Sequence, residues 1–119
     1  MALKPMVVEF GMGTDLGGAD YTKAAIRAVK DALWHNSLTV ADAFGVPRDA
    51  MQIEVHIGAG HPDQIDRQAV AETFPYGEVA VTAAHGGMDI PKDDGADRTI
   101  LVNAAVIVSL DLSAGGEAA

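Results

Sequence analysis

The sequence predicts an α+β fold in which one mixed β-sheet carries two helices on one face. Three segments indicate this class. QIEVHIG alternates apolar with polar residues, which is the period of a half-buried strand. The segment that follows Asp20 repeats apolar residues at helical spacing. Residues 99–112 form a long apolar run, which is typical of a strand that is covered on both faces.

In the first half of the chain we expect a strand, a helix and a short helical turn. Met6–Phe10 is the apolar run of the strand. Asp20 is a suitable cap for the helix, because its carboxylate can accept backbone N–H groups. The helix is expected to bury one apolar stripe, made of Ala25, Ile26, Val29, Ala32 and Leu33. HNSLTVADAFGVP then predicts the end of this helix and a further short turn, which stops at Gly45 before Pro47.

In the second half we expect three strands and one helix. The strand QIEVHIG directs Ile53, Val55 and Ile57 inward. Pro62 suits a first helical position, and residues 63–73 are predicted to form a helix that buries Ile65, Ala69 and Val70. Residues 78–84 are the next strand, HGGMDIPKDDGAD is a connection, and residues 99–112 are the last strand. The predicted order is β-α-β-α-β-β in one α+β domain spanning 1–119, with 113–119 as a flexible tail.

The last predicted strand indicates a partner. Right-handed crossovers place both helices on one face of the sheet, so the other face has no cover within the chain. The strand is nevertheless apolar on both sides, with Val102, Val106, Val108 and Leu110 on one and Leu101, Ala105 and Ile107 on the other. We therefore expect a homo-oligomer, the alternative being a monomer with an exposed apolar patch. Asn103 interrupts this strand and is either an interface contact or a pocket group.

Composition excludes several classes of function. The 119 residues carry a net charge of −9 and no cysteine. Nucleic-acid binding requires a basic stripe, which eight Lys and Arg spread along the chain do not supply. No run reaches the roughly 18 apolar residues that span a bilayer, and the N-terminus lacks the apolar segment of a signal peptide. We expect a cytoplasmic protein that binds neither nucleic acid nor membrane.

GMGTDLGGAD, between the first strand and the first helix, is predicted to be a glycine-rich, acidic loop. A dinucleotide fingerprint would need glycine where this chain has Leu16, and no G-K-[ST] follows for a P-loop. Asp15 and Asp20 would also repel a phosphate. We therefore expect no cofactor. The structural alternative is that the glycines permit positive φ or close packing against a neighbouring element.

GMGTDLGGAD followed by YTKAAIRAVKDALWHNSL resembles a family of small, uncharacterised bacterial proteins with an N-terminal G-x-G-x-D-x-H-G motif. Gly11, Gly13, Asp15 and Gly18 match this motif, and Gly17 stands where the family has histidine. IGAGHPDQID, FPYGEV, GGM and VNAAV are also similar to the family, so the resemblance covers essentially the whole domain. It implies no activity.

A more distant resemblance is to one repeat of the cyanuric acid hydrolase and barbiturase family, which opens cyclic amides with a lysine–serine pair. Lys23 in GADYTKAA falls at that family's substrate-binding arginine, and His85 in AAHGGMD at its serine nucleophile. The lysine position falls at Gly11 or Met12, so both members of the dyad are missing. The predicted element order also resembles the Bacillus chorismate-mutase-like and YjgF-like folds, which implies trimers with ligand sites between subunits.

His85 and Asp15 are the candidate catalytic residues, as general acid or base. Gly86 and Gly87 can present backbone N–H groups to an anion or an oxyanion. The substrate-binding candidates are Gly11, Gly13, Gly18, Lys23, Gly86 and Gly87. The structural alternatives are a solvated turn histidine for His85, an Asx-turn or cap for Asp15, and a solvated surface lysine for Lys23.

No metal site is expected, because the spacing of His56 and His61 matches no standard motif. If these histidines did share an ion with Asp15 or Glu54, a metal-dependent hydrolase would be the reading. The leading hypothesis is instead a small-metabolite enzyme or ligand-binding protein with sites at subunit interfaces. Its reaction would be hydrolysis of a cyclic amide or a related polar ring compound. The alternative is a non-catalytic structural or regulatory subunit of a homo- or hetero-oligomer, perhaps beside a paralogue that retains the motif histidine.

Overall fold

The α+β class is confirmed by the computed structural model, which describes residues 3–34, 39–92 and 98–112. Five strands and three helices follow one another along the chain. They are β1 (Leu3–Asp15), α1 (Tyr21–Trp34), α2 (Val40–Ala43), β2 (Gln52–Ala59), α3 (Arg67–Ala71), β3 (Glu78–His85), β4 (Met88–Pro91) and β5 (Arg98–Asp111), with single 3-10 turns at Arg48–Ala50 and Pro62–Gln64.

The sheet is mixed, with the order β1-β5-β2-β3. β5 runs antiparallel to both β1 and β2, whereas β2 and β3 are parallel. β4 also pairs with β5, beyond the point where β2 ends. Gly58 of β2 pairs with Asn103, and Met88 of β4 pairs with Leu101 two residues further along β5. β4 therefore takes over the place of β2 beside β5.

One face of the sheet is covered by helices. α1 packs on β1 and β5, and α3 packs on β3. The strands alternate buried and more exposed residues, as the period of two requires. Ile53, Val55 and Ile57 point into the core from β2, as expected. From β5 the core receives Ile100, Val102, Ala104, Val106, Val108 and Leu110.

The other face, which we call the open face, has no helix on it in the described part of the chain. It carries alternate residues of all five strands, and the register places them in rows. These are Val8, Phe10, Met12 and Thr14 of β1; Thr99, Leu101, Asn103, Ala105 and Ile107 of β5; Glu54, His56 and Gly58 of β2; Ala80, Thr82 and Ala84 of β3; and Met88 and Ile90 of β4. The bare sheet face expected from the sequence is thus present.

Three predicted boundaries were wrong. β1 continues to Asp15, so Gly11–Asp15 is strand rather than loop, and the connection to α1 is only residues 16–20. The predicted connection after His85 contains β4. The helix expected over 63–73 is divided, because Ile65 is extended and Asp66 caps a new helix by accepting the Ala69 N–H at 3.1 Å.

Other predictions lie partly outside the described residues. Residues 35–38 of the predicted helix end, 93–97 of the predicted connection and the predicted tail 113–119 belong to this group. The short turn after them is described, and Gly45 adopts the positive φ of 68° that suits its predicted role as a stop. None of the described helices has the length and apolar character needed to cross a bilayer.

Candidate functional site

Gly11 and Gly13 lie in β1 directly beneath α1, where both are buried. A Cβ on Gly11 would lie 3.0 Å from the Ala32 Cα and closer still to the Ala28 carbonyl oxygen. A Cβ on Gly13 would overlap the Ala24 carbonyl oxygen and lie 2.8 Å from the Arg27 Cβ. The two glycines let a helix lie against a strand with no side chain between them. The interpretation of GMG as a flexible loop is therefore wrong, and close packing is what the structure gives these residues.

Asp15 ends β1 and holds the short connection that follows it. Its Oδ2 accepts the Asp20 N–H at 2.8 Å. This bond lowers the pKa of Asp15 from its ordinary value, and the Lys23 charge and the Gly17 and Gly18 N–H groups lower it further. The carboxylate thus has the Asx-turn role named as its structural alternative. Lys23 is exposed on α1, and its N–H binds the Asp20 carboxylate at 3.0 Å, which confirms the predicted cap.

His85 ends β3, the outer strand of the sheet, and is exposed. Gly86 and Gly87 then carry the chain across the end of β2 to β4. The Gly86 N–H donates to the Ala59 carbonyl at 3.1 Å, so it is already used within the fold. Gly87 has φ of 63°, and a Cβ there would overlap the Leu101 carbonyl oxygen. The glycine pair therefore serves the change of strand position.

The two catalytic candidates do not lie together. Asp15 is on β1 and His85 on β3, with β5 and β2 between them. Three strand spacings separate the two residues by about 14 Å, which is too far for Asp15 to orient the His85 ring. Lys23 and Gly18 lie on the Asp15 side, whereas Gly86 and Gly87 lie on the His85 side. The structure thus divides the predicted site into two regions.

The two histidines of the metal alternative are also apart. His56 lies on the open face, where its Nε2 is 3.5 Å from Glu54 and its Nδ1 is 3.1 Å from the Thr82 hydroxyl. His61 follows β2 on the helix side, with its ring 5.4 Å from the Tyr21 ring. Within 3–34, 39–92 and 98–112, no three His, Cys, Asp or Glu side chains are placed to share a metal ion.

A cluster that the sequence reasoning missed lies where β2 gives way to β4. Asp89 of β4 pairs with Ile100 of β5, so its side chain points to the helix face. There its Oδ2 accepts a short hydrogen bond from the Tyr21 hydroxyl, at the first residue of α1. The His61 Nε2 and the Arg98 Nε each lie 3.9 Å from the same oxygen. Four chain segments thus bring Tyr21, His61, Asp89 and Arg98 together, and we call this group the Asp89 cluster.

Backbone geometry holds the Asp89 carboxylate in place. A Cβ on Gly60 would lie 2.6 Å from the Asp89 Cγ, so only glycine permits this approach. Burial raises the pKa of Tyr21, and the hydrogen bond to Asp89 adds to that effect. The phenol therefore keeps its proton, and the neighbouring carboxylate keeps its donor.

The Asp89 cluster is not fully satisfied. The Asp89 Oδ1 and the Arg98 Nε are both buried, and neither has a hydrogen-bond partner in the described part of the chain. Fewer than one buried polar group in ten is left in this state in native structures, and such groups concentrate where function requires them. The Arg98 and His61 side chains are 41% and 45% exposed, so solvent reaches the rest of both.

Comparison with known proteins places this fold in a family. Residues 5–108 match the model of the conserved hypothetical protein family Lin0512. The chain belongs to the Lin0512 family. It is also similar to the crystal structure of an FtsZ-like protein of unknown function from Nostoc punctiforme, at 34% identity and a TM-score of 0.84. The alignment covers 93% of this chain and 98% of that one. No curated protein matches significantly.

Membership of the Lin0512 family confirms the expected resemblance to an uncharacterised family and supplies no activity. The chemistry of this Lin0512 chain must therefore be argued from its side chains. His61 can accept or donate a proton near neutral pH. Arg98 can bind a carbonyl, carboxylate or phosphate oxygen. Asp89 stands behind both as a fixed negative charge. A signal was available in the sequence, since MDIP after the glycine pair has the alternation of a short strand.

Proposed function

We propose that this protein binds a small polar metabolite at the Asp89 cluster, with Arg98 and His61 as the residues that contact it. The observation that carries the proposal is the convergence of four polar side chains on one carboxylate, with two buried polar atoms left unpaired. Structural ion pairs are normally completed by hydrogen bonds, because an unpaired buried polar atom costs about 1–3 kcal/mol. A cluster that leaves such atoms unpaired can recover part of that cost when a ligand rearranges it.

The arrangement favours a ligand with an acceptor oxygen beside an N–H group. Arg98 supplies only donors, and the Asp89 carboxylate only acceptors. His61 lies between these types and can serve either need. An amide presents a carbonyl and an N–H side by side, and a cyclic amide presents them on one edge. This complementarity is in keeping with the distant resemblance to enzymes that open cyclic amides, although this chain lacks their lysine–serine pair.

If the bound amide is hydrolysed, His61 is the residue placed to act as general base on water. Arg98 would then stabilise the negative oxygen that forms on the carbonyl. Asp89 would orient His61, as a carboxylate orients histidine in other hydrolytic sites. This mechanism assigns no direct role to Asp15 or His85.

A thermal-shift panel tests the proposal. Inorganic phosphate, acetate, and ring amides such as uracil and hydantoin are each added to the wild-type protein and to Arg98→Gln. Arg48→Gln is the matched control, because Arg48 has a similar exposure of 47% and pairs with Asp42 elsewhere on the surface. We expect ring amides to raise the Tm of the wild type and of Arg48→Gln, but not of Arg98→Gln. Equal shifts in all three proteins would refute binding at Arg98.

The open face supports a second candidate, a non-catalytic structural subunit. An exposed apolar sheet is a surface for assembly, and assembly requires no chemistry at the Asp89 cluster. The two functions separate experimentally. A purely structural subunit would show no ligand-dependent Tm shift in any of the three proteins, while its assembly would respond to changes on the open face.

A further inference from the structure

The open face combines two different halves. On β1, large side chains stand out from the sheet: Val8, Phe10 and Met12 are all exposed, and we call them the ridge. On β2 and β3 the outward residues are mostly small: Gly58, Ala80, Thr82 and Ala84, which we call the floor. β5 lies between the two halves, with Ala105 directly beside Phe10. The surface therefore rises along one edge and falls along the other.

We propose that a second copy of this chain packs on the open face about a two-fold axis, with the ridge of each copy on the floor of the other. A two-fold axis brings the same surface of both copies together, so the surface must be complementary to itself. A flat or uniformly bulky face would leave gaps in that arrangement. A face with a ridge at one edge and a floor at the other fills them in both directions at once.

Charge favours a copy of the same chain at this place. The protein carries a net charge of −9, so most surfaces of two copies repel each other. Among the open-face residues the only acid is Glu54, and it lies 3.5 Å from His56. The Thr82 hydroxyl pairs with the other nitrogen of that ring. The face is therefore depleted of charge, as the centres of protein interfaces are, and its polar groups are already paired.

The size of the open face is sufficient for a specific pair. Each outward residue of a sheet covers about 32 Å² of its plane, so the outward residues of the five strands cover about 500 Å² per copy. Two copies then bury about 1,000 Å² between them, which reaches the lower limit for specific interfaces. Side chains that stand above the plane add to this area, and the 70% exposed Phe10 adds most.

Asn103 fits the same arrangement. It is exposed near the middle of the open face, between Met12 on one side and Gly58 on the other. An amide has both a donor and an acceptor, so two such groups that meet across a two-fold axis can bond to each other. Of the two roles considered from the sequence, the interface contact is the one this position supports. The Asp89 cluster is on the opposite face, so pairing leaves it accessible.

Sedimentation analysis of the full chain tests the pairing. We expect the wild type to have twice the chain mass of 12.3 kDa. Phe10→Lys should raise the dissociation constant of the pair about 100-fold, because each pair loses two central aromatic contacts. Leu16→Lys is the matched control, since Leu16 is 64% exposed but lies in the connection to α1. Its effect should stay below about threefold.

A floor variant distinguishes this arrangement from other pairs. Ala80→Lys should weaken the pair although Ala80 is small and exposed, because the ridge of the other copy covers it. A pair that Ala80→Lys leaves unchanged would overturn packing of ridge on floor. A monomer at the highest soluble concentration, or the trimer expected from the chorismate-mutase-like resemblance, would overturn two-fold pairing. Unchanged circular dichroism of each variant shows that the fold itself is kept.

Discussion

Replacing Gly13 or Gly11 by alanine tests how β1 and α1 are held together. The added Cβ of Gly13→Ala would overlap the Ala24 carbonyl oxygen and approach the Arg27 Cβ to 2.8 Å. The nearest obstacle is helix backbone, so no change of side-chain rotamer relieves the clash. α1 would have to move outward by roughly 1 Å, against the close packing of a protein core.

The expected cost follows from this displacement. Overpacking a core by a methyl group costs about 1–3 kcal/mol, and a clash with backbone belongs at the upper end of that range. α1 also contributes buried residues along its whole length, from Tyr21 to Ala32, and all of them shift with the helix. We expect each variant to lose about 2.5 kcal/mol of unfolding free energy, or roughly 10 °C in Tm for a chain of this size.

Urea unfolding followed by circular dichroism measures the change. Gly17→Ala is the matched control, because a Cβ at Gly17 would meet no atom within 4 Å. It should change stability by no more than about 0.5 kcal/mol, since surface positions rarely matter more. If Gly11→Ala, Gly13→Ala and Gly17→Ala proved equally stable, the packing role of the first two glycines would be refuted. Their role as substrate-binding residues would then regain support.

Three further predictions concern single residues. The lowered pKa of Asp15 means that its carboxylate stabilises the fold above the ordinary value of 3.8, and that this contribution is lost as the pH falls through the lower folded value. Asp15→Asn should therefore lose less stability than the wild type in urea titrations between pH 5 and pH 3; an equal loss would contradict this. Tyr21 should ionise above its ordinary value of 10.0 in a spectrophotometric titration, and the late phase should be missing in Tyr21→Phe. Gly87→Ala should cost about 2–3 kcal/mol, because it combines positive φ with a clash on the Leu101 carbonyl, whereas a loss below that of Gly17→Ala would contradict this account of the strand change.

Periodicity was sufficient to predict most of the fold. The alternation in β2 and β5 and the apolar stripe of α1 are local patterns, and the structure contains all three elements. The open face was also predictable, because β5 is apolar on both sides and only two helices were available to cover the sheet. The end of β1 was not, since glycine in a strand resembles glycine in a loop until the helix above it is known.

The candidate site was less predictable for a different reason. Asp89, Tyr21, His61 and Arg98 belong to four segments, and only the exchange of β2 for β4 beside β5 brings them together. No local spacing contains that information. Asp15 and His85, by contrast, stand out in the sequence because glycines surround them. Those glycines serve packing and a change of strand position, so the signal was genuine but its cause was structural.

The most direct test of the Asp89 cluster as the functional site is a two-dimensional amide NMR titration of the full chain with the ring amides of the thermal-shift panel. The account predicts that the signals of Gly60, His61, Asp89 and Arg98 move with ligand concentration. The same signals should stay fixed in Arg98→Gln. Shifts confined to residues 16–23 or to His85 and the glycines after it would contradict the account and return the site to the region first indicated by the sequence.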